Sequence, residues 1–351
     1  MKHAIVILLL ALLPAFRLSA GDAIALPVEI KANDPNIRYI GRFDMKDGPR
    51  CSWSASTMLL KFKGTALNVK LSTNQDDFYQ IEVDGKPTTK LAVKKAQPLY
   101  TVASGLAAGE HTVALVKCTE MSQSVTKVLG FQIEAGALLP LPARTEKRIE
   151  VYGDSITCGY GNEGPNRSEH FKKETENAYF TYGPMAAREL NAECSLVSWS
   201  GRKMWPDYTI PSIYDCVFSD SDHSYNFSTW IPQAVVINLC TNDWSKGAPD
   251  EQKWTEAYKD FIKKLRTHYP DSHVFCVVGS MMGGKGLKEV HDYLNKMIDA
   301  LRQAGDQKIH YVEFEPQKEA DGIGSDWHPS IKTHEKMALK LAEALKKELN
   351  W

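Results

Sequence analysis

Apolar and polar residues alternate along several short stretches between Leu26 and about Leu139. The pattern is found at Leu67-Val69-Leu71, Tyr79-Ile81-Val83, Val113-Leu115 and Leu129-Phe131-Ile133. Because side chains in a β-strand point alternately to two faces, each stretch is predicted to be a half-buried strand. Asp84-Gly85 follows the second stretch and is typical of a tight hairpin turn. Residues 24–140 are therefore predicted to form a β-sandwich domain.

A different rhythm begins at Lys147, after the stiff segment Leu139-Pro140-Leu141-Pro142, where we place the linker between two domains. Strand-like apolar runs lie at 149–152, 194–198, 234–240, 273–279 and 308–314, and helix-like runs lie at 178–191, 251–268, 286–303 and 331–349. Alternating strands and helices predict an α/β domain over residues 145–351, with a parallel sheet covered by helices on both faces.

The first twenty residues have the pattern of a secretory signal peptide. A short basic start, Met1-Lys2-His3, precedes an apolar run from Ala4 to Leu13, and small residues follow up to Ala20. We expect cleavage near Ala20 and export of the mature protein to the periplasm or the external medium. No other stretch has the pattern of a transmembrane helix, so stable membrane insertion is not expected.

Composition argues against several classes of partner. The 351 residues carry 42 basic and 43 acidic side chains, and no long run of one sign points to a nucleic acid. The seven cysteines form no Cys-x-x-Cys pair, and no cluster of cysteine and histidine has the spacing of a zinc site. We expect no metal and no cofactor. Most cysteines are expected to be unpaired, although one disulfide is possible and the sequence does not indicate which cysteines would form it.

Three polar motifs follow predicted strands or lie close to one. Gly153-Asp154-Ser155 follows the run 149–152, Cys240-Thr241-Asn242-Asp243 ends the run 234–240, and Ser325-Asp326-Trp327-His328-Pro329 lies before the last helix. In open α/β sheets, ligands bind at the carboxyl ends of the strands. A serine, an asparagine and a histidine can therefore meet on one rim. Taken alone, Gly153-Asp154-Ser155 is equally typical of a turn that caps a helix.

These motifs and the isolated Gly201 resemble, in order, the four blocks of the SGNH (GDSL-type) hydrolases. The fuller blocks Tyr-Gly-Asp-Ser-Ile-Thr-Cys-Gly-Tyr-Gly at 152–161 and Asp-Trp-His-Pro-Ser at 326–330 resemble carbohydrate esterase family 2. That resemblance implies a jelly-roll sandwich followed by a three-layer α/β/α hydrolase domain. It also implies a secreted acetyl esterase that acts on plant polysaccharides.

The resemblance assigns a role to each site residue. Ser155 would attack the ester carbonyl, and His328 would accept and later return the proton. The backbone N–H groups of Ser155 and Gly201, with the side-chain amide of Asn242, would form the oxyanion hole. Asp326 would orient His328, through either its carboxylate or its backbone carbonyl.

The chain departs from the superfamily pattern at two positions. Ser325 stands three residues before the histidine, where the superfamily has its acid, and this leaves Asp326 as the candidate. Cys240 stands where the third block usually has glycine. Because the donor at this block is Asn242, the predicted chemistry does not depend on Cys240.

Aromatic residues supply the candidates for sugar binding. Trp244 and Trp327 flank the predicted catalytic residues and could stack on a sugar ring, although either could equally be a core residue. The aromatic and irregular segment 200–232 is predicted to be functional, with a plain surface loop as the alternative.

The sequence as a whole predicts an exported serine esterase that removes O-acetyl groups from hemicellulose such as xylan or gluco- and galactomannan. The alternatives are a lipid or thioester hydrolase on the same scaffold and a carbohydrate-binding protein without catalysis. The glycan, the hydroxyl and the oligomeric state are left open.

Overall fold

The computed structural model describes residues 27–134 and 136–351, so the predicted signal peptide lies outside the described residues. The N-terminal strands are Val28–Lys31 (β1), Arg38–Ile40 (β2), Arg50–Cys51 (β3), Thr57–Gly64 (β4), Ala66–Thr73 (β5), Asp77–Val83 (β6), Lys86–Val93 (β7), Leu99–Ala103 (β8), Gly109–Lys117 (β9), Thr126–Glu134 (β10) and Ala137–Leu139 (β11). They form two antiparallel sheets. The first has the order β1-β10-β5-β8 with β3 beside β10, and the second has the order β11-β4-β9-β6-β7 with β2 beside β4.

The inward faces of the two sheets share one hydrophobic core. Five of its residues are fully buried: Leu67, Val69 and Phe131 from the first sheet, and Leu60 and Leu115 from the second. Such interdigitation of alternate residues defines a β-sandwich. The predicted sandwich is therefore confirmed.

The prediction that the side chain of Leu129 points into the sandwich is wrong. Leu129 is 46% exposed, whereas Val128 and Phe131 on either side of it are buried. The register of β10 against β5 shifts between Val128 and Gly130. A bulge inserts one extra residue and so reverses the alternation along the strand.

The predicted hairpin turn joins β6 and β7. Val83 pairs with Lys86, and the two residues between them, Asp84 and Gly85, have φ of +50° and +76°. Positive φ at both central positions is the geometry that the Asp-Gly pair favours.

The C-terminal strands are Arg148–Gly153 (β12), Glu193–Ser198 (β13), Ala234–Asn238 (β14), His273–Val278 (β15) and Ile309–Glu313 (β16). The helices are Ser155–Cys158 (α1), Tyr182–Glu189 (α2), Glu251–His268 (α3), Gly284–Gln303 (α4) and Ile331–Leu349 (α5). The helix-like run 178–191 is divided, because a 3-10 turn at Ala178–Phe180 precedes α2. Residues 140–147, which include the predicted linker prolines, belong to neither a helix nor a strand.

All five strands of this domain are parallel, in the order β13-β12-β14-β15-β16. One face of the sheet packs against α2 and α5 through residues such as Ala186 and Leu341, and the other packs against α3 and α4 through residues such as Phe261 and Leu294. The order in which strands are added reverses at β12, because β13 lies on one side of it and β14 on the other. Ligand sites of open α/β sheets lie at such a reversal, and Ser155 directly follows β12.

A fully buried ion pair joins the two domains. Arg42, which follows β2, donates to Glu150 on β12 at 3.0 Å and to the carbonyl oxygens of Tyr214 and Cys216. Its guanidinium also lies 4.0 Å from the centre of the Tyr225 ring. The later part of the irregular segment 200–232 therefore packs against the sandwich and encloses a buried cation.

All seven cysteines lie in the described residues, and each is a free thiol. Within the same residues, each helix is too short or too polar to cross a membrane.

Candidate active site

Ser155 stands at the tip of a tight strand-to-helix turn. It is the first residue of α1, and the preceding Asp154 caps that helix by accepting a hydrogen bond from Ile156 N–H at 3.0 Å. The turn requires glycine at position 153, because a Cβ there would lie 2.0 Å from Thr157 Oγ1. The N–H groups in the first turn of a helix have no partner within that helix. The backbone N–H of Ser155 is therefore suited to meet an anion.

His328 reaches Ser155 from the loop before α5. Its Nε2 lies 2.9 Å from Ser155 Oγ, which is the distance of a nucleophile hydrogen-bonded to its base. The ring of Tyr160 packs against the imidazole, with ring centres 4.2 Å apart and planes 32° apart. The structure thus brings together the predicted serine and the predicted histidine.

Backbone carbonyl groups hold the other side of His328. Its Nδ1 lies 3.2 Å from the carbonyl oxygen of Ser325 and 3.1 Å from that of Asp326. A carbonyl oxygen can only accept, so Nδ1 carries the proton and Nε2 is left to accept from Ser155 Oγ–H. This is the tautomer that a general base requires.

The carboxylate of Asp326 points away from His328. It accepts hydrogen bonds from Tyr160 Oη–H, His170 Nδ1–H and Phe171 N–H, each at 2.9 Å. Although burial would raise its pKa, these hydrogen bonds hold the pKa of Asp326 below its usual value. Of the two predicted alternatives for Asp326, the structure has the backbone carbonyl and not the carboxylate.

An unusual backbone conformation turns the carbonyl of Asp326 toward the imidazole. Asp326 and Trp327 have φ of +49° and +67°, in the left-handed region that aspartate tolerates better than most residues. The three donors around the Asp326 carboxylate hold this conformation in place. Asp326 is therefore a positioning residue, which acts on His328 through the shape of the turn.

Burial also sets the protonation of His328. It lowers the pKa of His328 below the ordinary value for histidine, although the two carbonyl contacts oppose the shift. The imidazole is therefore neutral at neutral pH and able to accept a proton.

The remaining oxyanion candidates lie beside Ser155. Gly201 has φ of +77° and is exposed in the loop after β13. Asn242 lies after β14, and its amide nitrogen donates to the carbonyl oxygen of Arg202 at 3.0 Å and contacts Asp154 Oδ2 at 3.3 Å. Asn242 therefore contacts both the nucleophile turn and the Gly201 loop. Its role as an oxyanion donor stays a prediction.

The side chain of Asp243 binds the backbone of the loop that contains Gly201. Its half-buried carboxylate accepts hydrogen bonds from the backbone N–H groups of Met204 and Trp205 and from Trp254 Nε1–H. Burial raises the pKa of Asp243 to about 6. The sequence motif contained Asp243, but only the structure shows that it holds the Gly201 loop.

The two tryptophans predicted to bind substrate have different environments. Trp244 is only 9% exposed and packs in the core against Trp254 and Tyr293, so of its two predicted alternatives the structure has the core residue. Trp327 is 55% exposed directly before His328, and the guanidinium of Arg167 lies 4.4 Å from its ring centre.

Tyr208 is a second exposed aromatic residue at the site. It is 50% exposed, and its ring lies beside Gly201, where a Cβ would be 3.6 Å from Tyr208 Cε1. No sequence pattern distinguishes it from the other aromatic residues of the segment 200–232.

The fold and this serine–histidine pair define a GDSL-type hydrolase. Residues 151–336 match the GDSL-like lipase/acylhydrolase family, and residues 39–142 match the N-terminal domain of carbohydrate esterase 2. The chain belongs to carbohydrate esterase family 2, a family of carboxylic ester hydrolases.

Individual relatives agree with this assignment. The chain is 40% identical to a cellulase/esterase, CelE, of Acetivibrio thermocellus, over 91% of this chain and 40% of the relative's length. It is 30% identical to an acetylxylan esterase/glucomannan deacetylase of Cellvibrio japonicus, over 96% of this chain and 95% of the relative. A solved family two carbohydrate esterase of Clostridium thermocellum, in complex with cellohexaose, superimposes with a TM-score of 0.87 over 90% of this chain and 99% of that chain, at 40% identity.

Replacing Asp326 with asparagine should leave most of the esterase activity. Asparagine retains the carbonyl that faces His328, and it also tolerates positive φ. We expect kcat on an aryl acetate to fall by less than about tenfold, compared with about 10⁴-fold when the carboxylate of a serine–histidine–aspartate triad is removed. A loss of the larger size would contradict orientation of His328 by the carbonyl.

The pH profile should reflect the lowered pKa of His328. The base is active when neutral, so kcat/KM falls as the pH drops through its pKa. Because burial lowers that pKa, the acid limb should lie below about pH 6.5, the ordinary value for histidine. The measurement is kcat/KM for an aryl acetate across the stable pH range. An acid limb at or above that value would contradict the prediction.

Proposed function

We propose that this protein removes O-acetyl groups from hemicellulose by way of a covalent acyl-enzyme on Ser155. The observation that carries the proposal is the 2.9 Å contact between Ser155 Oγ and His328 Nε2, with Nδ1 held by backbone carbonyls. This arrangement provides a nucleophile and a base in the correct tautomer without a side-chain acid.

In the first half-reaction, Ser155 Oγ attacks the acetyl carbonyl carbon while its proton passes to His328 Nε2. The carbonyl oxygen becomes negatively charged and would accept hydrogen bonds from the N–H groups of Ser155 and Gly201 and from the Asn242 amide, which would exchange its 3.3 Å contact with Asp154 for the oxyanion. Each such donor is typically worth about 3 kcal/mol in the transition state. Collapse of the intermediate transfers the proton from His328 to the departing sugar oxygen and leaves the acetyl group on Ser155.

In the second half-reaction, water takes the place of the sugar. His328 Nε2 accepts a proton from the water as its oxygen attacks the acetyl-serine carbonyl, and then returns that proton to Ser155 Oγ as acetate leaves. The carbonyl groups of Ser325 and Asp326 stabilise the imidazolium that forms in each half-reaction, because both accept from Nδ1–H.

Two kinds of observation support a polysaccharide substrate. The names of the Cellvibrio relatives refer to acetylxylan and glucomannan, and both comparisons cover more than nine-tenths of each chain. The exposed rings of Trp327 and Tyr208 lie on loops that carry His328 and Gly201, where they could stack against sugar rings. Export, which the first twenty residues predict, would bring the enzyme to such a substrate.

Acetate release from acetylated xylan and acetylated mannan tests the proposal. The mature protein should release acetate from at least one of them, and Ser155→Ala should reduce the release to background because no other hydroxyl replaces the nucleophile. A matched Ser330→Ala variant, which removes a hydroxyl at the start of α5, should remain active. Hydrolysis of octanoyl but not acetyl esters would instead indicate a lipid hydrolase, and no hydrolysis with persistent glycan binding would indicate a binding protein.

Replacing Trp327 with alanine should separate polymeric from small substrates. If its exposed ring stacks on a sugar, KM for acetylated polysaccharide should rise by roughly fivefold, in line with about 1 kcal/mol for a stacking contact. KM for an aryl acetate should change little, because that substrate does not extend to the platform. Equal changes for both substrates would contradict a sugar platform at Trp327.

A further inference from the structure

We propose that Glu120, in the β-sandwich domain, is a positioning residue that fixes the oxyanion loop of the catalytic domain. The inference rests on the proposed function, because it assigns to Gly201 N–H a role in stabilising the oxyanion. It gives the N-terminal domain a direct part in the reaction.

Glu120 reaches the catalytic loop from the connection between β9 and β10. Its Oε2 accepts a hydrogen bond from the backbone N–H of Ser200 at 2.8 Å and a second one from Ser200 Oγ–H. Its Oε1 accepts from Ser122 Oγ–H within its own loop. Glu120 is only 4% exposed, so these contacts are made away from water, where hydrogen bonds to a charged acceptor are strong.

The residue that Glu120 holds directly precedes Gly201. The N–H of Gly201 belongs to the peptide group between Ser200 and Gly201, so the orientation of Ser200 sets the direction of that N–H. Glycine adopts positive and negative φ with similar ease, and Gly201 therefore does not fix the peptide by itself. Two hydrogen bonds to one neighbouring residue supply the missing constraint.

The rest of the loop is fastened by the catalytic domain. Trp199 N–H donates to the carbonyl oxygen of Gly153 at 3.2 Å, and Asn242 donates to the carbonyl oxygen of Arg202 at 3.0 Å. Glu120 acts between these two contacts, at the residue next to Gly201. In this way the sandwich domain adds a contact at Ser200, between the contacts that the catalytic domain makes at Trp199 and Arg202.

A second buried acid beside Glu120 provides a matched control. The carboxylates of Glu120 and Glu176 and the thiol of Cys158 all lie within 4.8 Å of one another. Burial, and then the charge of Glu120, raise the pKa of Glu176 well above its usual value. Among the described residues, the carboxylate of Glu176 makes no hydrogen bond to Ser200. Glu176→Gln therefore makes the same chemical change in the same cluster without touching Ser200.

The test compares Glu120→Ala, Glu120→Asp, Glu120→Gln and Glu176→Gln with the wild-type protein on an aryl acetate. Rates are expressed per serine that reacts with a phosphonate, so that unfolded protein does not contribute. We expect Glu120→Ala to lower kcat by about 100-fold, the size of effect that a misplaced catalytic group produces, with KM within about twofold. Glu176→Gln should keep the wild-type kcat.

The two conservative variants separate position from charge. Glutamine keeps the length of the side chain and an oxygen that accepts from Ser200, whereas aspartate keeps the charge but is one methylene too short. We expect Glu120→Gln to retain kcat within about tenfold and to exceed Glu120→Asp. An arylboronic acid forms a tetrahedral adduct that mimics the transition state. Its inhibition constant should therefore rise less in Glu120→Gln than in Glu120→Asp.

Each outcome decides the matter. Wild-type kcat in Glu120→Ala, a greater loss in Glu120→Gln than in Glu120→Asp, or an equal loss in Glu176→Gln would overturn the role of Glu120 while leaving the esterase itself in place. If Glu120→Ala does not fold, the order of the glutamine and aspartate variants decides. A wild-type protein with no more esterase activity than Ser155→Ala would overturn the proposed function and this role together.

Discussion

The hydrogen bond between Ser155 and His328 joins two segments that are 173 residues apart in the chain. It forms because the nucleophile turn follows β12, an interior strand of the parallel sheet, while the loop before α5 folds over the same edge of that sheet. Gly153 and Asp154 shape the first of these segments, and the left-handed conformation of Asp326 shapes the second. Each remaining feature of the site either brings these segments together or fixes the groups around them.

Orientation of the base by carbonyl groups changes which residues control the reaction. In a triad the carboxylate touches the imidazole, whereas here it holds the backbone that touches the imidazole. Tyr160 takes part twice, since its ring packs against His328 and its hydroxyl donates to Asp326. On the proposed oxyanion side, the carboxylates of Glu120 and Asp243 likewise accept hydrogen bonds from backbone N–H groups of the Gly201 loop. In the proposed reaction, these side-chain acids therefore act through the backbone that they hold.

Much of this structure could be predicted from local pattern. Five apolar runs became parallel strands, and the order of the motifs placed serine and histidine on one rim, because strand direction constrains where loops emerge. What failed depended on contacts distant in sequence. The bulge between Val128 and Gly130 turned the side chain of Leu129 toward solvent, and the packing of α3 and α4 buried Trp244. The direction of the Asp326 carboxylate was set by an irregular loop, and Glu120 was a lone acid in a connection of another domain, where no periodicity marks it.

The central claim is that hydrolysis proceeds through an acetyl group bound covalently to Ser155, and trapping that intermediate tests it most directly. Mass spectrometry after rapid acid quenching, during turnover of an activated aryl acetate, should find the peptide that contains Ser155 heavier by one acetyl group. The adduct should be absent from Ser155→Ala. Acetate release in both proteins, without any acetylated peptide, would contradict the account.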